Sequence, residues 1–176
     1  SVDVTGKYVK EIIEFVDEVK LAGFTHALLM GMGGSSLAPE VFRLTFGVKE
    51  GCLDLAVIDS THPEVVMNYA KKFNPSTTLY IVSTDPGSGL QKVAEELKFR
   101  KIFLNDPNIG GRFSALSLFG IVPAALIGVD IEKLLSLAKD ETLHCKKSDK
   151  GISENVAVVI GAIIGALGKK GIDKLT

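Results

Sequence analysis

The chain contains no tryptophan, only two cysteines and only three histidines among its 176 residues. Cys52 and Cys145 lie far apart and without metal-ligand spacing, which argues against a disulfide framework or a zinc site and reads as two free thiols in a reducing compartment. An excess of one charge is also missing. Lys and Arg number 20 against 21 Asp and Glu, scattered along the chain, so there is no basic footprint for nucleic acid. Long hydrophobic runs are absent as well. The most apolar stretch, residues 156–167, is about 12 residues long, short of the roughly 20 that span a bilayer. Its Gly161-x-x-x-Gly165 pair is therefore expected inside a buried core helix rather than a membrane dimer. The opening SVDVTGKYVKEIIEF has no signal-peptide core. These absences describe a cytoplasmic protein without nucleic-acid or membrane partners, and 46% hydrophobic residues supply a core for a single domain.

What the chain does have is glycine at corners. Residues 25–40 read THALLMGMGGSSLAPE: strand character over 25–30, then Gly31-Met32-Gly33-Gly34-Ser35-Ser36, then a helix over 37–46. Glycines let backbone approach a ligand closely, and a helix start presents free N–H groups and a positive dipole end to an anion. Ser35 and Ser36 add hydroxyl donors. Ser36 is expected as the N-cap and Pro39 in the first turn. No Gly-Lys-Ser/Thr follows, so this is not a P-loop. A dinucleotide fingerprint would place a third glycine at Ser36, and Asp54 and Asp59 fall at imperfect distances for its ribose ligand. Phosphate is the better reading than NAD, with a ligand-free tight turn as the plain alternative.

Around this unit the pattern alternates. Val9, Ile12, Ile13, Val16 and Val19 follow helical spacing, and Gly23 closes that helix. Residues 53–58 form a short apolar run fit for a doubly buried strand. Thr61-x-x-Glu64 has the capping-box form and opens a helix to about residue 73, with His62 on its surface. Strands follow at 78–82 and 101–104, separated by a helix that Ser88 caps. Residues 113–127 form an apolar helix that Pro123 should kink and Gly128 should close. Asp130 caps the next helix, to about residue 145; a polar linker over 146–151 precedes the final apolar helix. Strand–helix alternation implies a parallel sheet covered on both faces, with ligands at the carboxyl ends of the strands. The loop NDPNIGGR, residues 105–112, is the second candidate there, since Gly110 and Gly111 permit close approach and Arg112 offers a fork of donors. His26, inside an apolar strand, reads as a core histidine.

GMGGSSLAPEVF at 31–42, TDPGSGL at 84–90 and FLNDPNIGGRFSALSLFGIVPAAL at 103–126 together resemble glucose-6-phosphate isomerase. The wording is closest to the isomerase half of bifunctional transaldolase/glucose-6-phosphate isomerases, and GALGKKGIDKLT at 165–176 is similar to that family's continuation. The resemblance implies a sugar-isomerase-type three-layer αβα sandwich with a mainly parallel, Rossmann-like sheet. It implies that Gly34 and Ser35 contact substrate, Ser35 at the phosphate, and that Gly111 and Arg112 form the Gly-Arg pair facing the reacting carbons. The implied reaction interconverts glucose 6-phosphate and fructose 6-phosphate by proton transfer through a cis-enediolate, without metal or cofactor, in a homodimer.

Departures accompany the match. The family's second phosphate loop is absent, because residues 79–83 run directly into 84–88 as though a loop, a helix and a strand had been excised at 83/84. Ser83 or Thr84 would be the heirs of its hydroxyl function. The family's base-bearing Glu segment, ring-opening histidine and late lysine would lie beyond residue 176, and His26, His62 and His144 match none of them. Residues 1–176 are thus expected to be part of one sugar-isomerase-type domain of a larger chain, with no transaldolase portion, and a partial enzyme. The alternative is a non-catalytic phosphosugar-binding module.

Overall fold

The computed structural model describes residues 2–82, 84–146, 155–172 and 174. The chain forms two compact units, Ser1–Leu135 and Ser136–Thr176.

In the first unit, three five-residue strands, β1 (His26–Met30), β2 (Asp54–Ile58) and β3 (Thr78–Val82), make a parallel sheet in the order β2-β1-β3. His26 pairs with Asp54 and Thr78, and Met30 with Ile58 and Val82, so the three strands are flush at both ends. Side chains alternate between two apolar layers, as a pleated strand requires. Ala27, Leu29, Leu55 and Leu79 join the cluster built on Ile12, Phe15, Val16 and Val19 of α2 (Val9–Leu21) and Ile121 and Leu126 of α6 (Leu118–Leu126). Leu28 and Ile58 face the other way, onto Val65, Tyr69 and Phe73 at α4 (Pro63–Lys72). The sheet is therefore covered on both sides, and the three-layer expectation holds. Further elements of this unit are α1 (Val2–Gly6), α3 (Gly34–Phe46), α5 (Gly89–Glu96) and a 3-10 turn at Gly111–Leu116. A long helix, α7 (Ile131–Lys146), carries the chain into the second unit, which ends in α8 (Val156–Lys169).

Local chemistry explains most boundaries. Gly23 at φ 83° closes α2, its N–H bonding to Lys20 O at 3.0 Å while the Phe24 N–H reaches Val19 O at 3.3 Å. Gly128 at φ 88° closes α6 in the same way through Ala125 O and Ala124 O. Ser88 Oγ accepts from Gln91 N at 3.1 Å, and Asp130 Oδ1 from Lys133 N at 2.9 Å, both as the sequence pattern requires.

Several expectations are corrected. Residues 101–104 form no strand and pair with none among the described residues; Phe103 packs on Phe15 of α2 instead of a sheet neighbour. The Thr61–Glu64 capping box is not formed. His62 is the cap residue without a side-chain bond, because Pro63 takes the first helical position. The apolar segment 113–127 breaks at Ser117 rather than running as one helix kinked at Pro123: its hydroxyl caps Phe119 N at 3.3 Å, and the residues before it wind as a 3-10 turn. Ile13 is 39% exposed, so the buried stripe of α2 runs through Phe15 instead. In the second unit α8 has no buried residue despite its composition, contrary to the buried helix expected. Asn155 caps it through Val158 N at 3.2 Å and donates to Cys145 O at 2.8 Å. Most of the polar linker, and Ser83, lie outside the described residues.

Candidate functional site

The sheet order fixes where a ligand would sit. From the central β1 the chain moves outward to β2 and then returns to the opposite side for β3, which makes the carboxyl end of β1 a topological switch point. Gly31 follows Met30 there directly, its N–H bonding to Ile58 O of β2 at 3.2 Å. Gly33, at φ 62°, is the N-cap, and α3 starts at Gly34. The helix thus begins earlier than its sequence suggests. Ser36 is not the cap but a buried residue inside the first turn, its hydroxyl donating to Gly33 O at 2.9 Å. Pro39 falls well inside the helix, not in its first turn. Ser36 N and Leu37 N both reach Gly33 O, at 3.1 and 3.2 Å. Among the described residues this leaves the N–H groups of Gly34 and Ser35 as open donors of the first turn.

The second glycine corner comes to the same place. Gly34 and Gly111 touch backbone to backbone: a Cβ on Gly34 would fall within 3.0 Å of three backbone atoms of Gly111, closer than real Cβ atoms come. A Cβ on Gly111 would meet Gly34 Cα at 3.0 Å. Ser114 locks the contact. Fully buried, it shares its hydroxyl proton between Gly111 O at 2.6 Å and Gly34 O at 3.1 Å, while Ser117 Oγ donates to Ser114 O at 2.7 Å. Thr5 of α1, also buried, holds the end of the same turn by donating to Leu116 O at 2.8 Å. Sequence reasoning misses both Ser114 and Thr5. Ser114 is visible there only as the last letter of IGGRFS, and nothing local marks Thr5.

Loop 105–112 is stiffened from within. The Asp106 carboxylate accepts from the backbone N–H and the side-chain amide of Asn108, each at 2.9 Å, and those two bonds hold it below the usual carboxylate range. The buried Asn105 amide donates to Asp106 O at 3.2 Å. On α3, Arg43 is committed: its fork meets Glu40 at 3.0 and 2.6 Å, which lowers the Glu40 carboxyl and raises the guanidinium. Arg112 differs. It is exposed and, among the described residues, makes no hydrogen bond or ion pair. Ser35 is half-buried and sits beside the two open N–H donors, and Arg112 follows in the chain directly after Gly111, whose backbone touches Gly34. His26 stands at the other end of β1, about 17 Å away for a five-residue strand. Its ring contacts are Thr25 Oγ1 at 2.8 Å and Phe73 at 5.5 Å. Cavities of about 230 and 370 Å³ lie elsewhere, beside residues 104–109 and along β3.

An open parallel sheet flanked by helices, with a helix N-terminus and a facing glycine loop at its switch point, defines an α/β protein of the doubly wound kind. Comparison with known proteins narrows the class: this chain is related to the glucose-6-phosphate isomerases. The glucose-6-phosphate isomerase of Cyanothece sp. is 28% identical over 152 residues, covering 66% of this chain and 29% of that protein. That of Methanocaldococcus jannaschii is 24% identical over 192 residues, covering 91% of this chain and 47% of that protein. The crystal structure of a glucose-6-phosphate isomerase from Chlamydia trachomatis has the same fold, with a TM-score of 0.69 at 20% identity over 97% of this chain and 40% of that one. No protein-family model matches the chain. The chain spans less than half the length of these relatives. The alignments also contain positions without a counterpart here. In the Cyanothece match, 66% of 176 residues is about 116, so about 36 of the 152 aligned positions have no counterpart here. In the Methanocaldococcus match, 91% is about 160, leaving about 32 of 192.

Proposed function

We propose that residues 1–176 are part of the phosphosugar-isomerase domain of a glucose-6-phosphate isomerase and carry one half of its substrate site. In this reading Gly34 and Ser35 take the phosphate of an open-chain sugar phosphate, using the Ser35 hydroxyl and the two free N–H groups of the α3 start. Gly111 keeps the second loop close, and Arg112 stabilises the oxyanion that develops as a proton moves between C2 and C1 through an enediolate. No metal or cofactor is needed for that step. The observation that carries the reading is the Gly34–Gly111 backbone contact, since it puts the two corners proposed for phosphate and reacting carbons side by side. The known relatives act as isomerases by name, and the relationship supports the same substrate class here.

The residues that the resemblance carries over, Gly34, Ser35, Gly111 and Arg112, include no carboxylate base. General-base catalysis contributes roughly 10²–10⁴-fold, so the 176-residue chain is expected to bind sugar phosphate while turning it over poorly. Calorimetry with fructose 6-phosphate tests the site. Ser35→Ala and Arg112→Ala should each weaken binding about tenfold, the loss of one charge-assisted contact. Unchanged affinity in both variants would remove the assignment. A coupled assay for glucose 6-phosphate separates this reading from a purely binding module: measurable isomerisation by the chain itself would show a base that the match does not reveal.

A further inference from the structure

At the amino end of the sheet, away from the glycine corner, an amine and a thiol lie side by side. Lys20, in the last turn of α2, donates from Nζ to the Sγ of Cys52 at 3.2 Å, just before β2 begins. Both side chains are half-buried. Carboxylates stand near without taking the lysine. Asp17, Asp130 and Glu132 line the same cavity of about 200 Å³ as Lys20, yet among the described residues it forms no ion pair with any of them. The backbone on each side is fixed. The Lys20 carbonyl accepts from Gly23 N at 3.0 Å. Cys52 N donates to Lys49 O, Lys49 N to Ile127 O and Leu53 N to Leu126 O, each at 3.0 Å, which pins the turn onto the end of α6. Gly128 leaves room for the sulfur, since a Cβ there would stand 2.7 Å from Sγ.

We propose that Cys52 and Lys20 form a modification site, at which hydrogen peroxide links the two side chains through a direct S–N bond. Reacting as the thiolate, Sγ attacks one peroxide oxygen and the O–O bond breaks. The departing hydroxide takes a proton from the Lys20 ammonium, leaving water, a sulfenic acid and a neutral amine. Nζ then attacks the sulfur, the S–O bond breaks and a second water leaves. Sulfur is oxidised by two electrons and the peroxide reduced by two. The flexible lysine stem lets Nζ close the remaining distance. A sulfenic acid with no such partner goes on to sulfinic acid. The link closes the loop from residue 20 to residue 52, which contains β1 and the glycine corner. Cys145 is the contrast within the chain: its thiol donates to a carboxylate, Glu141 Oε1 at 3.5 Å, which offers no nitrogen.

The test uses the chain carrying Cys145→Ser, whose single thiol removes any intramolecular disulfide from the reading. With a small excess of hydrogen peroxide its intact mass should fall by about 2 Da, the two hydrogens shed at sulfur and nitrogen, and dithiothreitol should restore it. Trypsin should no longer cut after Lys20, and the digest should join the peptide containing Lys20 to the one containing Cys52. Lys20→Arg in the same background keeps the charge without the amine, and should gain about 32 Da as sulfinic acid instead. Peroxide treatment of the Cys145→Ser chain in urea should also abolish the link, because only the fold holds sulfur and nitrogen together. A mass gain in place of the loss in the folded chain, no reaction at Cys52, a link that persists in Lys20→Arg, or equal linking in urea would each overturn the inference. No sugar phosphate enters the experiment, so its outcome is independent of the reading of the glycine corner.

Discussion

At the scale of single residues, the two glycines before Arg112 look interchangeable in the sequence and are not so in the fold. Gly110 has φ −65° and open space within 4 Å of where a Cβ would stand, whereas Gly111 rests on Gly34. Gly34→Ala pushes a Cβ into backbone that has no rotamer to yield, and should cost about 3 kcal/mol or more. Gly110→Ala should be neutral or slightly stabilising, by up to about 1 kcal/mol through the unfolded chain. Urea denaturation of the pair checks this, and equal losses would mean that the contact is not what holds the corner. Ser114→Ala removes the hydroxyl shared by the Gly34 and Gly111 carbonyls and should cost about 1–3 kcal/mol. Its phosphosugar affinity should fall with it, since the loops then lose their only side-chain tie at this point among the described residues. The glycines are legible in the sequence because their freedom is a local property. Ser114 is not, because a buried hydroxyl is informative only once its acceptors, distant in the chain, are known.

At the scale of elements, the same distinction separates what can be read from what cannot. β3 is legible to the residue, and Gly23, Ser88, Gly128 and Asp130 act as the punctuation their chemistry dictates. Residues 101–104 have strand composition but lack a neighbour to pair with, and α8 has core composition but no described element covering it. Pairing and burial are supplied by other parts of a fold, so composition alone could not decide either case. Within α3 the Glu40–Arg43 pair gives a pH test. A carboxyl depressed in the folded state stabilises it above the unfolded value, 4.5, and loses that contribution as pH falls through the folded value. With side chains 33% and 36% exposed, the gain is screened to a few tenths of a kcal/mol, about 0.5 at most. Glu40→Gln should therefore lower stability slightly at pH 7 and leave it unchanged once the pH is well below the folded value of the carboxyl, by denaturant titration at each pH. A loss of the same size at both pH values would place the effect in packing instead.

At the scale of the whole molecule, an apolar trough lies beside the edge of β3 that pairs with no strand among the described residues, and a crossover and strand among the aligned positions without a counterpart here would give both features one physical cause. The resemblance in sequence implies a join at 83/84, directly after β3, where a crossover would have to begin. Grafting the unmatched Cyanothece positions between residues 82 and 84 should therefore convert the trough into a paired strand within one chain. Burying the walls and satisfying the β3 edge should add at least about 1 kcal/mol, which in a chain of this length moves the thermal midpoint by roughly 2–4 °C. The wall opposite β3, at residues 100–103, is already anchored to α2 through Glu11, Glu18 and Phe15, so the graft need not reorganise it. If the phosphosugar reading is also right, affinity for fructose 6-phosphate should rise, because the restored stretch follows a strand whose carboxyl end is flush with that of β1. A higher midpoint without tighter binding would uphold the completed sheet and count against the corner. A lower midpoint would mean that the chain has closed around its shortened sheet and that the trough is part of its own stable form.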